Sequence, residues 1–85
     1  MNWYKREKIA GLPIYSERIV IKKLKRMGCK MIRQIRSSHQ IWECPGRGKI
    51  SLPIHSGGGQ DVDPRLLDRL LRQELGVNRN YFARV

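Results

Sequence analysis

Long apolar runs are missing from this chain. The longest, Ile19-Val20-Ile21, covers three residues, far below the roughly 20 that span a bilayer. No membrane segment is expected, and nothing resembles a secretory signal. Trp3-Tyr4-Lys5-Arg6 is too short to argue a membrane contact from. Paired cysteines are missing as well. Cys29 and Cys44 are the only two, joined by two histidines, His39 and His55. Zinc sites bring ligands in close pairs such as C-x-x-C, so no metal is expected. A disulfide is not expected either. The cysteines read as small buried hydrophobes in a reducing cytoplasm. Size sets a further limit. A chain of 85 residues buries only roughly 60–65% of its unfolded surface. Little room remains for a deep pocket, so no cofactor is expected. What remains is a surface site for a large substrate, or a binding face without chemistry.

Acidic residues are scarce: seven Asp plus Glu stand against 18 Lys plus Arg, a net charge of +11. The excess is uneven. Residues 1–36 hold eleven basic and two acidic side chains, and residues 50–85 hold five and four. Such a field makes nucleic acid the expected partner, with an acidic protein answering it equally well.

The chain divides into an N-terminal arm, 1–15, and one domain, 16–85. Ser16 is a good N-cap. Val20, Ile21, Leu24 and Met27 then recur at helical spacing, with Lys22, Lys23, Lys25 and Arg26 on the other face. Gly28 supplies a left-handed stop, which predicts a helix over 16–27. Strands are predicted over 30–35, 39–44 and 49–55, joined by short Ser- and Gly-containing links. Pro53 marks the third as an edge. Gly57-Gly58-Gly59 is read as a flexible loop. Asp63-Pro64 opens a second helix carrying Leu66, Leu67, Leu70, Leu71 and Leu75, and Gly76 stops it. Asn78 caps a short last turn with Tyr81 and Phe82. The fold class is α+β, in α-β-β-β-α order. Two helices cover one face of a three-stranded antiparallel sheet and leave the other open.

A link of Gly46-Arg47-Gly48 would set Ile50 against Cys44, Leu52 against Trp42 and His55 against His39. A shifted pairing would bury Glu43 against Leu52, at a heavier cost. The favoured register puts both imidazoles on the open face and Trp42 in the core. Two histidines on a basic surface suggest ribonucleolytic chemistry. His39 takes a proton from a ribose 2′-hydroxyl, whose oxygen attacks the adjacent phosphate. His55 is a candidate acid for the leaving 5′-oxygen. Arg33, Arg36, Arg47 and Lys49 are candidate phosphate clamps. Ser38 is a further phosphate contact, and Lys22, Lys25 and Arg26 on the first helix complete the RNA-binding set. His55 also fits a structural role at a strand end.

Four ordered segments resemble the HicA family of toxin ribonucleases. Val20 to Gly28 looks like its first helix and stop. Arg33-Gln34-Ile35-Arg36-Ser37-Ser38-His39-Gln40-Ile41-Trp42 looks like its signature, which in one subgroup runs Arg-Gln-x-x-Gly-Ser-His-x-Ile-Trp. Leu52-Pro53-Ile54-His55-Ser56-Gly57 looks like its third strand and exit, and Leu66 to Gly76 like its closing helix. The resemblance implies a double-stranded-RNA-binding-domain-like fold and an mRNA interferase. It implies one catalytic histidine, falling on His39, and a HicB-type antitoxin that covers the site. Ser37 replaces the signature glycine, and Cys29 replaces the aromatic usual after the helix-one glycine. A non-catalytic RNA-binding module on the same fold is the competing expectation.

Overall fold

The computed structural model describes residues 14–36, 38–55 and 58–85. Of the expected arm only Ile14 and Tyr15 are described, and Ser37, Ser56 and Gly57 also lie outside the described residues. Helix α1 spans Glu17–Arg26, with the Ser16 hydroxyl accepting from the Ile19 N–H at 3.2 Å. Strands β1 (Lys30–Ile35), β2 (His39–Cys44) and β3 (Gly48–Pro53) follow as an antiparallel meander in the order β1-β2-β3. Helix α2 (Pro64–Arg69) starts at Asp63, whose carboxylate accepts from the Arg65 N–H at 2.9 Å. Helix α3 spans Arg79–Arg84, with Asn78 Oδ1 accepting from the Tyr81 N–H at 2.7 Å. The α-β-β-β-α order and the antiparallel sheet are those the sequence pattern predicts.

The inner face carries Trp42, Cys44, Ile50 and Leu52. They pack with Val20 and Leu24 of α1, with Leu67, Leu70, Leu71 and Leu75, and with Phe82 of α3. All are at most 2 % exposed. Trp42 is therefore core, as expected, and its indole N–H donates to Gln40 Oε1 at 3.0 Å. Strand β1 differs from its neighbours. All six residues are exposed, including Met31, Ile32 and Ile35, and the register slips between Met31 and Arg33.

Four details depart from the sequence reading. First, His39 pairs with Pro53, Trp42 with Ile50 and Glu43 with Lys49. The link is Pro45-Gly46-Arg47, closed by the Arg47 N–H on the Cys44 carbonyl at 3.0 Å. Gly48 is left-handed, as supposed, but it already pairs with Cys44. The slip amounts to two residues, so every side chain within β3 keeps its predicted face, whereas His55 falls past the end of the strand, loses His39 as a direct partner and has its ring on Glu17 of α1. Setting Glu43 across from Lys49 adds an opposite-charge pair that the expected register lacked.

Second, Lys23 belongs to the core side of α1. It is 8 % exposed, and its ammonium donates to the carbonyls of Phe82 (3.1 Å), Ala83 (3.3 Å) and Val85 (3.2 Å). Three residues beyond Val20, it shares the buried stripe. Its stem packs inward and its charge meets the negative end of α3.

Third, the helix after Asp63 is not uniform. Beyond Arg69 it widens into a π-helical segment, Leu70–Leu75. Its i→i+5 bonding brings residues five apart onto one line. Leu70 and Leu75 thus both reach the core, beside Leu71. Gly76 stops the segment with φ 68°, as predicted.

Fourth, Cys29 and Cys44 are buried as expected but joined in a disulfide, with Cα atoms 4.1 Å apart. The reason is the hairpin register. Lys30 pairs with Glu43, so the next position outward sets Cys29 beside Cys44. A bridge closing 15 residues of chain is worth about 2–4 kcal/mol. Reductant should therefore lower the melting temperature, on the order of 10–20 °C for a chain of this size. Unchanged melting, with two titratable thiols before reduction, would show that the pair does not bridge in solution.

Candidate functional site

Paired residues share a face, so the ladder fixes what surrounds His39. On the open face run three rows: Ile35-His39-Pro53, Arg33-Ile41-Ser51 and Lys30-Glu43-Lys49. Arg33 and Ser51 are the diagonal neighbours of His39, at about 7–8 Å between Cα atoms. Lys49 lies four positions along the sheet, about 13 Å away. Three cations against one carboxylate leave this face electropositive.

His39 is exposed at the first position of β2, and its Nδ1 lies 3.2 Å from the Ser38 hydroxyl. Arg36 closes the preceding strand with φ 56°, the one positive φ outside glycine among the described residues. A left-handed conformation costs a residue with a side chain about 1–2 kcal/mol. Substituting Arg36→Gly should therefore keep or raise stability, by up to about 1 kcal/mol once glycine's greater unfolded-state freedom is counted. A fall in melting temperature would mean that the guanidinium holds the turn together.

The other expected contacts lie apart from this face. Lys22, Lys25 and Arg26 are exposed on α1, which packs against the inner side of the sheet. Arg47 turns to the helix layer, where its Nη1 donates to the Leu75 carbonyl at 2.8 Å. Of the eight RNA-binding candidates, Arg33, Arg36, Ser38 and Lys49 stay with the open sheet face and its β1–β2 turn.

His55 follows β3. The Ile54 N–H donates to the Ser38 carbonyl at 2.8 Å, which extends the ladder by one pair beyond His39. The His55 ring, however, bonds to α1. Its Nδ1 lies 2.7 Å from Glu17 Oε2, and its backbone N–H donates to Glu17 Oε1 at 2.9 Å. The Glu17 side chain is 2 % exposed and the imidazole 55 %. Sequence reading passed over Glu17 because an acidic residue in the first turn of a helix is commonplace. The available signal was its place three residues before Val20, on the core side of the helix.

A family model described as HicA toxin of bacterial toxin-antitoxin matches residues 18–74. The chain belongs to the HicA toxin family. No curated protein and no solved structure matches it significantly. Membership makes this HicA-family chain the toxin of a toxin–antitoxin pair, in a family whose members are generally ribonucleases. RNA as substrate and an antitoxin as partner come with it. The matched span holds His39, His55 and all eight RNA-binding candidates, whereas Glu17 and α3 fall outside it. No helix among the described residues is long and apolar enough to cross a membrane.

Proposed function

We propose that this HicA-family toxin is an endoribonuclease that cuts cytoplasmic mRNA without a metal, using His39 as its base. The supporting observation is a solvent-facing imidazole among cations on an otherwise open sheet face. With Nδ1–H donating to the Ser38 hydroxyl, Nε2 keeps its lone pair toward the substrate. It takes the proton of a ribose 2′-hydroxyl. The oxygen attacks the adjacent phosphorus, and the P–O5′ bond breaks. The products are a 2′,3′-cyclic phosphate and a 5′-hydroxyl. Because the nucleophile belongs to the substrate, acid–base groups and cations suffice.

Arg33 and Arg36 hold the phosphate under attack, and Lys49 a neighbouring one. Lys22, Lys25, Arg26 and Arg47 contribute to the wider field that gathers RNA. His55 supplies the proton for the leaving oxygen. A HicB-type antitoxin neutralises the toxin by covering the open face. An acidic surface with an apolar spot would match the cations and the exposed Ile35 beside His39.

The test is cleavage of a long unstructured RNA in the presence of chelator, with analysis of the new ends. Cyclic-phosphate and 5′-hydroxyl ends are expected. Activity that needs a divalent ion, or 5′-phosphate ends, would overturn the scheme.

A further inference from the structure

We infer that Glu17 is a positioning residue for the reaction, holding His55 as the group that protonates the leaving 5′-oxygen. The inference rests on the ribonuclease reading and adds a residue to it.

Both oxygens of the Glu17 carboxylate are engaged by one residue, His55: Oε1 by its backbone N–H and Oε2 by its ring. A carboxylate only accepts, so the ring nitrogen facing it is the protonated one. That fixes Nδ1–H inward and leaves Nε2 as the working nitrogen. Burial of the carboxylate and exposure of the ring suit a fixed holder and a substrate-facing group. Surface pairs of long side chains lack this definition.

The backbone of His55 is held at both ends, its N–H by Glu17 and its carbonyl by the Gly58 N–H at 2.8 Å. Helix α1 is tied to the same loop, with the Glu17 N–H on the Gln60 carbonyl and the Val62 N–H on the Tyr15 carbonyl, both 2.8 Å. The ring therefore sits in a braced frame.

His55 lies at the same end of the sheet as His39. Since Ser38 and Ile54 pair, His55 lies two residues past the partner of His39. Such diagonal neighbours have Cα atoms about 7–8 Å apart. A phosphate acted on by both rings therefore sits at this end of the sheet. In the step itself, His39 Nε2 accepts the 2′-hydroxyl proton as the P–O2′ bond forms. His55 donates its Nε2 proton to O5′ as the P–O5′ bond breaks. Nδ1 keeps its own proton throughout, donated to Glu17 Oε2. Exchange with water then restores both rings.

A leaving group that needs no proton isolates this role. Two substrates are compared, ordinary RNA and RNA with sulfur in place of the 5′-bridging oxygen at the cut site. His55→Ala should lower kcat on ordinary RNA by about 10²–10⁴-fold with KM unchanged. On the sulfur substrate it should cleave within a few-fold of wild type. Glu17→Gln should show a smaller kcat loss with the same rescue. The double variant should be no slower than His55→Ala, because Glu17 acts through His55 alone.

Wild-type rates from His55→Ala on ordinary RNA would overturn the inference. So would a loss that sulfur does not rescue, or losses that add in the double variant. If Glu17→Gln fails to fold, His55→Ala and the sulfur substrate still decide the acid role, and folded Glu17→Asp, rescued by sulfur or not, decides the positioning role. Failure of the ribonuclease reading looks different: wild type then cuts neither substrate, or His39→Ala cuts both.

Discussion

His39→Ala should abolish measurable RNA cleavage, a loss of about 10²–10⁴-fold or more, while RNA still binds. The two outcomes separate because the side chain and the binding field are separate. The imidazole is exposed on the open face, so its removal should change stability by less than about 0.5 kcal/mol. The cations Arg33, Arg36 and Lys49 remain in place, and with them the salt-dependent attraction to phosphate. Single-turnover cleavage and a binding titration on the same preparations check both halves. Equal cutting by the variant would move the chemistry elsewhere or reveal a contaminant. Binding without cutting by wild type and variant alike would leave a non-catalytic RNA-binding module on this fold.

The largest expected effect on stability lies beyond the span that the family model matches. Phe82 of α3 is fully buried, and Phe82→Ala should cost about 3–5 kcal/mol. A domain has roughly 5–15 kcal/mol in hand, so the variant should be partly unfolded at moderate temperature. The ring stands edge-on to Tyr15, with centroids 5.6 Å apart, and the Lys23 ammonium lies 5.5 Å from its centroid. Removing it loosens α3, and with α3 go the carbonyls that satisfy the buried Lys23. Thermal melts of wild type and variant check this. A melt shift of only a degree or two would mean that α3 is an appendage and the core closes without it.

Local signals in the sequence were reliable wherever one residue sets the backbone by itself. Ser16, Asp63-Pro64, Gly76 and Asn78 mark the helix ends the structure has. Period-two alternation in β3 put Ile50 and Leu52 inside, and that assignment survives a two-residue slip because parity is unchanged. The slip itself was not legible, since a link containing Gly46 and Gly48 closes in either register. Features depending on distant partners were equally hidden. Lys23 reads as one cation in a basic run, yet its acceptors lie some 60 positions away. Glu17 reads as an ordinary first-turn acid until α1 and the end of β3 are brought together. The cysteines carry no motif, and only the β1–β2 register shows that they meet.

The same division holds for the site. His39 is legible because Ser-Ser-His after a cation-rich strand is local. Which cations accompany it is not, because α1 and the sheet face opposite ways. Lys22, Lys25 and Arg26 looked interchangeable with Arg33 and Arg36 in the sequence, but the layers separate them.

The proton taken from the ribose is the step on which the functional account depends. Its most direct test is an RNA with a single 2′-deoxyribose at a mapped cut site, incubated with wild-type protein. Cleavage should vanish at that position and persist at unmodified sites in the same molecule. Cutting at the deoxy position at an undiminished rate would show that the nucleophile is not the substrate's own hydroxyl, and would contradict the role given to His39.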